Sequence, residues 1–133
     1  ALSEALKICC NDLNDSIRTL KNLDTYFTSL LSCNNINYKI NGKNRVPGIL
    51  NITIPNTSAS SFIFNLDKEG YAISAGSACA SGSIKGSHTL KEIGLNNDEI
   101  EKSYRISFGK FHKKNDVENL FHIIAKNIKD KIL

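Results

Sequence analysis

The sequence lacks long apolar runs, a signal-peptide pattern and a concentrated basic stripe, and it contains no methionine. A membrane-spanning helix needs about 18 or more apolar residues in a row. No run approaches that length, so we expect no membrane association. Nucleic-acid-binding chains cluster basic residues with aromatics between them, whereas the lysines behind the net charge of +4 are scattered. Nucleic acid is therefore not an expected partner, and the densest basic group, residues 110–114, is expected to form an exposed turn.

Cysteine is also sparse, with four residues at positions 9, 10, 33 and 79. Their spacing fits neither a zinc site nor a disulfide framework, which predicts free thiols in a reducing, cytoplasmic environment. We expect Cys9, Cys10 and Cys33 to pack as small hydrophobic side chains in or near the first helix. Cys79 does not fit that account, because its neighbours in the stretch SAGSACASGS are serine, alanine and glycine.

Hydrophobic periodicity predicts interleaved helices and strands. One long amphipathic helix is expected over residues 2–31, and the last helix is expected to begin at about Lys114. Between them we expect short strands near residues 36–40, 50–54, 71–74 and 104–108, with a turn at NGKN that indicates one antiparallel pair. Shorter helices are expected after residues 56–58, Ser87 and Asn96, the last with a capping box formed by Glu99.

These elements predict an α+β fold in a single domain over residues 1–133. A small antiparallel or mixed sheet is expected to be covered by helices on one face, with the long helix at the N-terminus. The length suits one modest hydrophobic core, and no internal repeat or linker divides the chain.

The small-residue stretch admits several interpretations. The simplest is a flexible loop with a chance cysteine. A phosphate-binding loop needs lysine directly after its second glycine, but Ser83 and Ile84 precede Lys85. A cysteine phosphatase needs an arginine fork where Lys85 stands. A thiol on a mobile arm explains the small residues best, because they add little packing and leave the backbone free. We therefore favour an exposed nucleophile as the function of Cys79.

Arg105 is the second candidate site residue. It is one of only three arginines and lies within the predicted strand YRISFG, opposite the apolar side chains of Tyr104, Ile106 and Phe108. An exposed strand arginine and a fork that binds a substrate carboxylate through two parallel hydrogen bonds are both consistent with this position.

Three motifs in order resemble one known family. The stretch SAGSACASGS, followed by SHTLKEIGL and YRISFGKF, is similar to the C-terminal part of cysteine desulfurases of the NifS/IscS type. These are fold-type I pyridoxal-phosphate enzymes of aminotransferase class V. Upstream, RVPGILNITIPN and SSFIFNLD stand where that family has a strand and a helix. The resemblance covers essentially the whole chain, and it favours the NifS/IscS type over the SufS-like group, whose cysteine has different neighbours.

The resemblance implies that L-cysteine is converted to L-alanine. Cys79 would accept the sulfur as a persulfide and pass it to an acceptor or iron–sulfur scaffold protein, and Arg105 would bind the carboxylate of the substrate. Gly76, Ser77 and Gly82 match the motif as loop-forming residues. The family also forms homodimers, mainly through its large domain.

The family's cofactor-binding residues, including a lysine in a Ser-x-His-Lys segment, belong to a larger N-terminal domain and have no counterpart here. We therefore expect this chain to be the C-terminal small domain, inactive alone, with pyridoxal 5'-phosphate bound only in the full-length enzyme. His88, His112 and His122 are expected to be structural. Two alternatives remain open: a stand-alone persulfide carrier without cofactor, and a selenocysteine lyase-like member of the same superfamily.

Overall fold

The structure is a computed structural model that describes residues 1–75 and 87–129, apart from the side chains of residues 59, 60 and 129. In chain order the elements are α1 (Leu2–Asn11), α2 (Leu13–Cys33), β1 (Lys39–Ile40), β2 (Ile49–Thr53), α3 (Ala59–Lys68), β3 (Ser74–Ala75), α4 (His88–Glu92), α5 (Asn97–Glu101), β4 (Ser103–Ser107) and α6 (Lys114–Lys129). No helix in these two ranges is long and apolar enough to cross a membrane.

The four strands form one antiparallel sheet in the order β1-β2-β4-β3. Its centre is the β2–β4 pair, whose register runs from Ile49↔Ser107 to Thr53↔Ser103. The predicted antiparallel pairing across the NGKN turn is confirmed. The first predicted strand is shorter than expected, because only Lys39–Ile40 pairs with β2.

Helices cover one face of this sheet, as expected. Buried side chains of α2, α3 and α6 form one hydrophobic core with alternate residues of β2 and β4, namely Leu50, Ile52, Tyr104 and Ile106. Burying each large apolar side chain contributes about 1.5–3 kcal/mol, so this layer supplies most of the driving force for folding. The core therefore fixes which face of β4 remains open, and that face carries the candidate site.

Tyr104 lies at the centre of the core and is fully buried. Its ring packs against Phe62 with ring centroids 4.5 Å apart, and its hydroxyl donates a 2.7 Å hydrogen bond to Thr57 Oγ1. Burial raises the pKa of Tyr104 to about 12, so the hydroxyl stays protonated and acts as a donor. The bond ties β4 to the segment that follows β2.

The expected long N-terminal helix is present as α2, but it is separated from α1 at Asp12. Only the second half of the apolar stripe is covered: Leu23 and Phe27 are buried, whereas Leu6 is 62% and Leu13 is 54% exposed. The helical periodicity thus extends beyond the part of the helix that packs on the sheet. Lys110 Nζ donates to Asp12 Oδ2 at 3.0 Å and ties this junction to the turn before α6.

The prediction for the first three cysteines is wrong. Cys9, Cys10 and Cys33 are free and exposed rather than packed as small hydrophobic side chains. Cys9 and Cys10 lie on α1, which contains no buried residue. Cys33 is the last residue of α2 and lies in the same turn as the buried Leu31, but its own side chain is exposed.

Three of the predicted signals for helix ends are confirmed. Asn96 Oδ1 accepts from the Glu99 N–H at 2.9 Å, and the Glu99 carboxylate accepts from the Asn96 N–H at 3.0 Å, which is the predicted capping box. The Leu90 N–H donates to Ser87 Oγ at the start of α4. Gly70 ends α3 with a φ of +83°, a left-handed conformation that glycine adopts without a Cβ penalty.

Candidate functional site

Arg105 is the central residue of β4 and lies on the face of the sheet opposite the core. Its neighbours in the strand, Tyr104 and Ile106, are both buried, and alternate residues of a strand point to opposite faces. The prediction that Arg105 lies opposite the apolar side chains is therefore confirmed. It is flanked in register by Asn51 on β2 and by Ser74 on β3.

Most N–H donors of the Arg105 guanidinium have no acceptor among the described residues. One nitrogen, Nη2, donates to Ser74 Oγ at 3.4 Å, which is long for a hydrogen bond. Arg18 pairs with Asp15 and Arg45 with Asp24, but no ion pair involves Arg105 among the residues that the structure describes. A half-buried guanidinium has five N–H donors, so it is suited to bind an anion through two parallel hydrogen bonds.

A polar cluster lies beside Arg105 on the same face. Asn41 is its centre and is buried, and its Nδ2 donates to Asn51 Oδ1 at 2.7 Å and to Thr53 Oγ1 at 2.9 Å. Ser103 Oγ lies 2.8 Å from Thr53 Oγ1 and donates to the Glu99 carbonyl at 2.7 Å. Buried polar groups that satisfy one another in this way hold their side chains in one orientation.

Cys79 lies outside the described residues, as do Gly76, Ser77, Gly82 and Lys85. The described chain stops at Ala75, which follows Ser74 and pairs with Tyr104. Cys79 is four positions further along the sequence. The role predicted for Cys79 stays a prediction.

The three histidines make only local contacts in the described ranges. His88 lies on the surface of α4, its side chain 87% exposed and 3.7 Å from Glu92. His112 Nδ1 accepts a 2.7 Å hydrogen bond from the Gly109 N–H, and His122 is exposed on α6. No group of three or more His, Cys, Asp or Glu side chains in residues 1–75 and 87–129 is placed to hold a metal ion.

The lysines of the described part do not fit the residue that forms an imine with pyridoxal 5'-phosphate. Such a lysine is activated by burial in an apolar pocket or by a second cationic group. The lysines with described side chains are exposed, except Lys102, which is half-buried and ion-paired with Asp98 at 2.6 Å. We therefore derive no step through this cofactor from the residues described.

Two pockets of about 420 Å³ each lie elsewhere. One lies between the 34–37 segment and α6, and the other between residues 70–73, the end of β4 and His112. Arg105 lines neither pocket. The candidate site is thus an open polar face of the sheet.

Sequence reasoning missed Asp24, a buried carboxylate on α2. Its Oδ2 accepts a 3.1 Å hydrogen bond from the Gly48 N–H and lies 3.6 Å from Arg45, while Oδ1 has no partner among the described residues. Burial raises the pKa of Asp24, an effect that the Gly48 N–H and the Arg45 charge oppose. A signal was present, because residue 24 lies between Leu23 and Phe27 on the apolar stripe.

Sequence reasoning also missed Asn51 and Asn41. The face that Asn51 occupies follows from strand alternation, since Asn51 stands between Leu50 and Ile52, which both face the core. A polar residue at such a position lies on the same face as Arg105.

Comparison with known proteins gives a consistent result. A family model described as aminotransferase class-V matches residues 1–120. The cysteine desulfurase IscS of Buchnera aphidicola is 30% identical over 125 residues, which are 93% of this chain and 30% of that protein. The solved structure of a NifS-like protein from Rickettsia africae matches with a TM-score of 0.74 and 25% identity, over 90% of this chain and 31% of that one.

A second solved structure, titled NIFS-LIKE PROTEIN, matches with a TM-score of 0.80 over 95% of this chain and 32% of that one. At 20% identity it supports the fold alone. The chain spans about a third of the length of the curated relatives that it matches.

Proposed function

The chain belongs to the aminotransferase class-V family, and from that premise we propose that it is the C-terminal domain of a cysteine desulfurase. The complete protein converts L-cysteine to L-alanine, and this domain supplies the sulfur-accepting thiol of Cys79 and the substrate-binding guanidinium of Arg105. Relatives named as cysteine desulfurases support the reaction class.

The reaction is balanced as a transfer of one sulfur atom. The bond between the β-carbon and sulfur of L-cysteine breaks, and a bond forms between that sulfur and Sγ of Cys79. The electron pair of the broken bond stays on carbon, which takes up a proton and becomes the methyl group of L-alanine. The thiol of Cys79 is thereby converted to a persulfide, which a second thiol can attack.

The observation that carries the proposal is the placement of Arg105. Its guanidinium lies on the open face of β4, has no carboxylate partner in the described part, and contacts the hydroxyl of Ser74. Residue 75 ends the strand next to it, and four residues of chain span at most about 14 Å. This short connection supports the proposal that Cys79 reaches a substrate held at Arg105.

The cofactor we propose for the complete protein is pyridoxal 5'-phosphate, which stabilises negative charge on substrate carbon. Because the lysines with described side chains do not fit as its ligand, we propose that residues beyond the described part of the chain hold it. We expect this chain mixed with the cofactor to show neither the visible absorption of a bound cofactor nor alanine formation from L-cysteine.

The sulfur leaves through an acceptor thiol, which we propose belongs to a carrier or scaffold protein of iron–sulfur cluster assembly. The complete protein is proposed to be a cytoplasmic homodimer. Free, exposed thiols at Cys9, Cys10 and Cys33 support a reducing compartment.

The test uses the complete protein that the reading frame encodes, with alanine formation from L-cysteine as the assay. We expect Arg105→Ala to raise the KM for L-cysteine at least about tenfold, because a hydrogen bond to a charged group contributes about 1.5–3 kcal/mol. Arg105→Lys keeps the charge but loses the planar fork, so its KM should fall between those of the wild type and Arg105→Ala. Unchanged KM values in both variants would contradict the role of Arg105.

A further inference from the structure

The open face of the sheet carries a row of three polar residues across three strands. Asn51 on β2, Arg105 on β4 and Ser74 on β3 are direct register partners. Residues directly opposite each other in antiparallel strands share a face, with Cβ atoms about 5 Å apart. Asn51 and Ser74 are therefore the closest side-chain neighbours of Arg105 across the sheet.

Hydrogen bonds fix the orientation of the Asn51 amide. Its Oδ1 accepts from Asn41 Nδ2 at 2.7 Å. Asn41 is itself held, because Thr53 Oγ1 lies 2.9 Å and Ser103 Oγ 3.2 Å from its Nδ2. With its oxygen turned toward Asn41, Asn51 has Nδ2 at the other end of the amide.

The two N–H donors of Asn51 Nδ2 have no acceptor among the residues that the structure describes. Asn51 is only half-buried, so a ligand can reach these donors from the open face. An amide whose oxygen is fixed by a buried partner and whose nitrogen is left over is a preorganised donor. Its nearest cross-strand neighbour is the only arginine of the chain that has no ion pair in the described ranges.

We propose that Asn51 is a second ligand of the carboxylate that Arg105 binds, an inference that rests on the proposed function. A carboxylate offers about four lone-pair sites, of which a guanidinium fork occupies two. Asn51 Nδ2 donates to a third, on the β2 side of the fork. Asn41 acts through Asn51 as a positioning residue, since it turns the amide nitrogen outward.

A purely structural role for Asn51 makes a different prediction. In that case only its oxygen matters, as the acceptor for Asn41. The isosteric change Asn51→Asp separates the two roles, because it keeps an oxygen for Asn41 and removes both N–H donors. It also places a carboxylate beside Arg105, where it competes with the ligand for the guanidinium.

The experiment measures binding of L-alanine and of ethylamine, the same amine without a carboxylate, to the complete protein by calorimetry or NMR titration. We expect Asn51→Ala to weaken L-alanine binding about tenfold and Asn51→Asp to weaken it further, with ethylamine binding unchanged in both. Asn65 is a matched control, because it is also half-buried and paired to an asparagine, Asn127, at 2.7 Å, but lies on α3. Asn65→Ala and Asn65→Asp should leave L-alanine binding unchanged.

The outcomes separate this inference from the proposed function. If Arg105→Ala weakens L-alanine binding but both Asn51 variants bind like the wild type, the role of Asn51 is overturned and that of Arg105 stands. If Arg105→Ala has no effect, the shared carboxylate site and the anchoring role of Arg105 both fall. Equal weakening of L-alanine and ethylamine by Asn51→Asp would indicate a structural role and also overturn the inference.

Discussion

A methyl group added at Gly48 should destabilise the fold that carries the candidate site more than one added at any other described glycine. Its φ of +85° lies in the left-handed region, and a Cβ built there would lie 2.8 Å from Leu20 Cδ2 and 3.0 Å from the carbonyl oxygen of Phe108. The Leu20 methyl can move aside, but the Phe108 oxygen belongs to the backbone. The Gly48 carbonyl also accepts a 2.7 Å hydrogen bond from the Phe108 N–H, so the two segments cannot separate without losing it.

Gly70 provides a matched control for the magnitude. Its φ of +83° is nearly the same, but no atom of the described residues lies within 4 Å of a Cβ built there. Gly70→Ala should therefore cost only the left-handed penalty, about 1–2 kcal/mol. Gly48→Ala should cost that penalty plus about 1–3 kcal/mol of overpacking, or about 2–5 kcal/mol in all.

The assay is the free energy of unfolding from denaturant titration, measured for the wild type and both variants under the same conditions. The difference between the variants isolates the steric contact, since the backbone penalty is common to both. Equal destabilisation within about 0.5 kcal/mol would refute the reasoning that Gly48 is required by its contact with Phe108.

Two further predictions concern groups at the core. Tyr104→Phe removes only the hydrogen bond to Thr57, whose hydroxyl still donates to the Ile54 carbonyl. It should lower the free energy of unfolding by about 1 kcal/mol in a denaturant titration, and no loss would show that the bond is not stabilising. For Asp24, burial raises the pKa above its ordinary value of 3.8. As the pH rises past 3.8 the unfolded state therefore loses its proton first, and this group's contribution to stability falls until the folded pKa is passed. The free energy of unfolding of Asp24→Asn minus that of the wild type should accordingly increase with pH from 3.8 upward, and a difference that is flat or falling would contradict the direction of the shift.

Much of the fold could be predicted from the sequence because its signals are local. The capping box at Asn96 and Glu99 needs only residues within one turn, and the glycine after α3 needs only its own backbone conformation. The alternation in YRISFG placed Arg105 opposite the core for the same reason, since strand geometry alone decides which face a residue occupies.

The parts of the fold that could not be predicted depend on which surfaces pack against each other. Hydrophobic periodicity does not specify this packing. The apolar stripe of the first helix continues through Leu6 and Leu13, but α6 and the sheet cover only its second half. The prediction for Cys9 and Cys10 is wrong for this reason. The partner of Asp24 lies 24 residues away at Gly48, and no local pattern links the two.

The candidate site, too, could be predicted only in part. The types of residue, a thiol among small residues and an arginine in a strand, were visible in the motifs. The contribution of Asn51 was not, because it depends on the β2–β4 register and on a hydrogen bond from Asn41. The free N–H donors of an asparagine can be identified only when the hydrogen-bond partner of its amide oxygen is known.

The central claim is that Cys79 accepts the sulfur of L-cysteine, and mass spectrometry of the complete protein after a single turnover tests it most directly. We expect the peptide containing Cys79 to gain the mass of one sulfur atom, reductant to remove this mass, and Cys79→Ser to abolish the gain. The peptides that contain the exposed thiols of Cys9, Cys10 and Cys33 serve as internal controls and should gain nothing. Alanine formation with the sulfur on one of those thiols, or with full turnover in Cys79→Ser, would contradict the account.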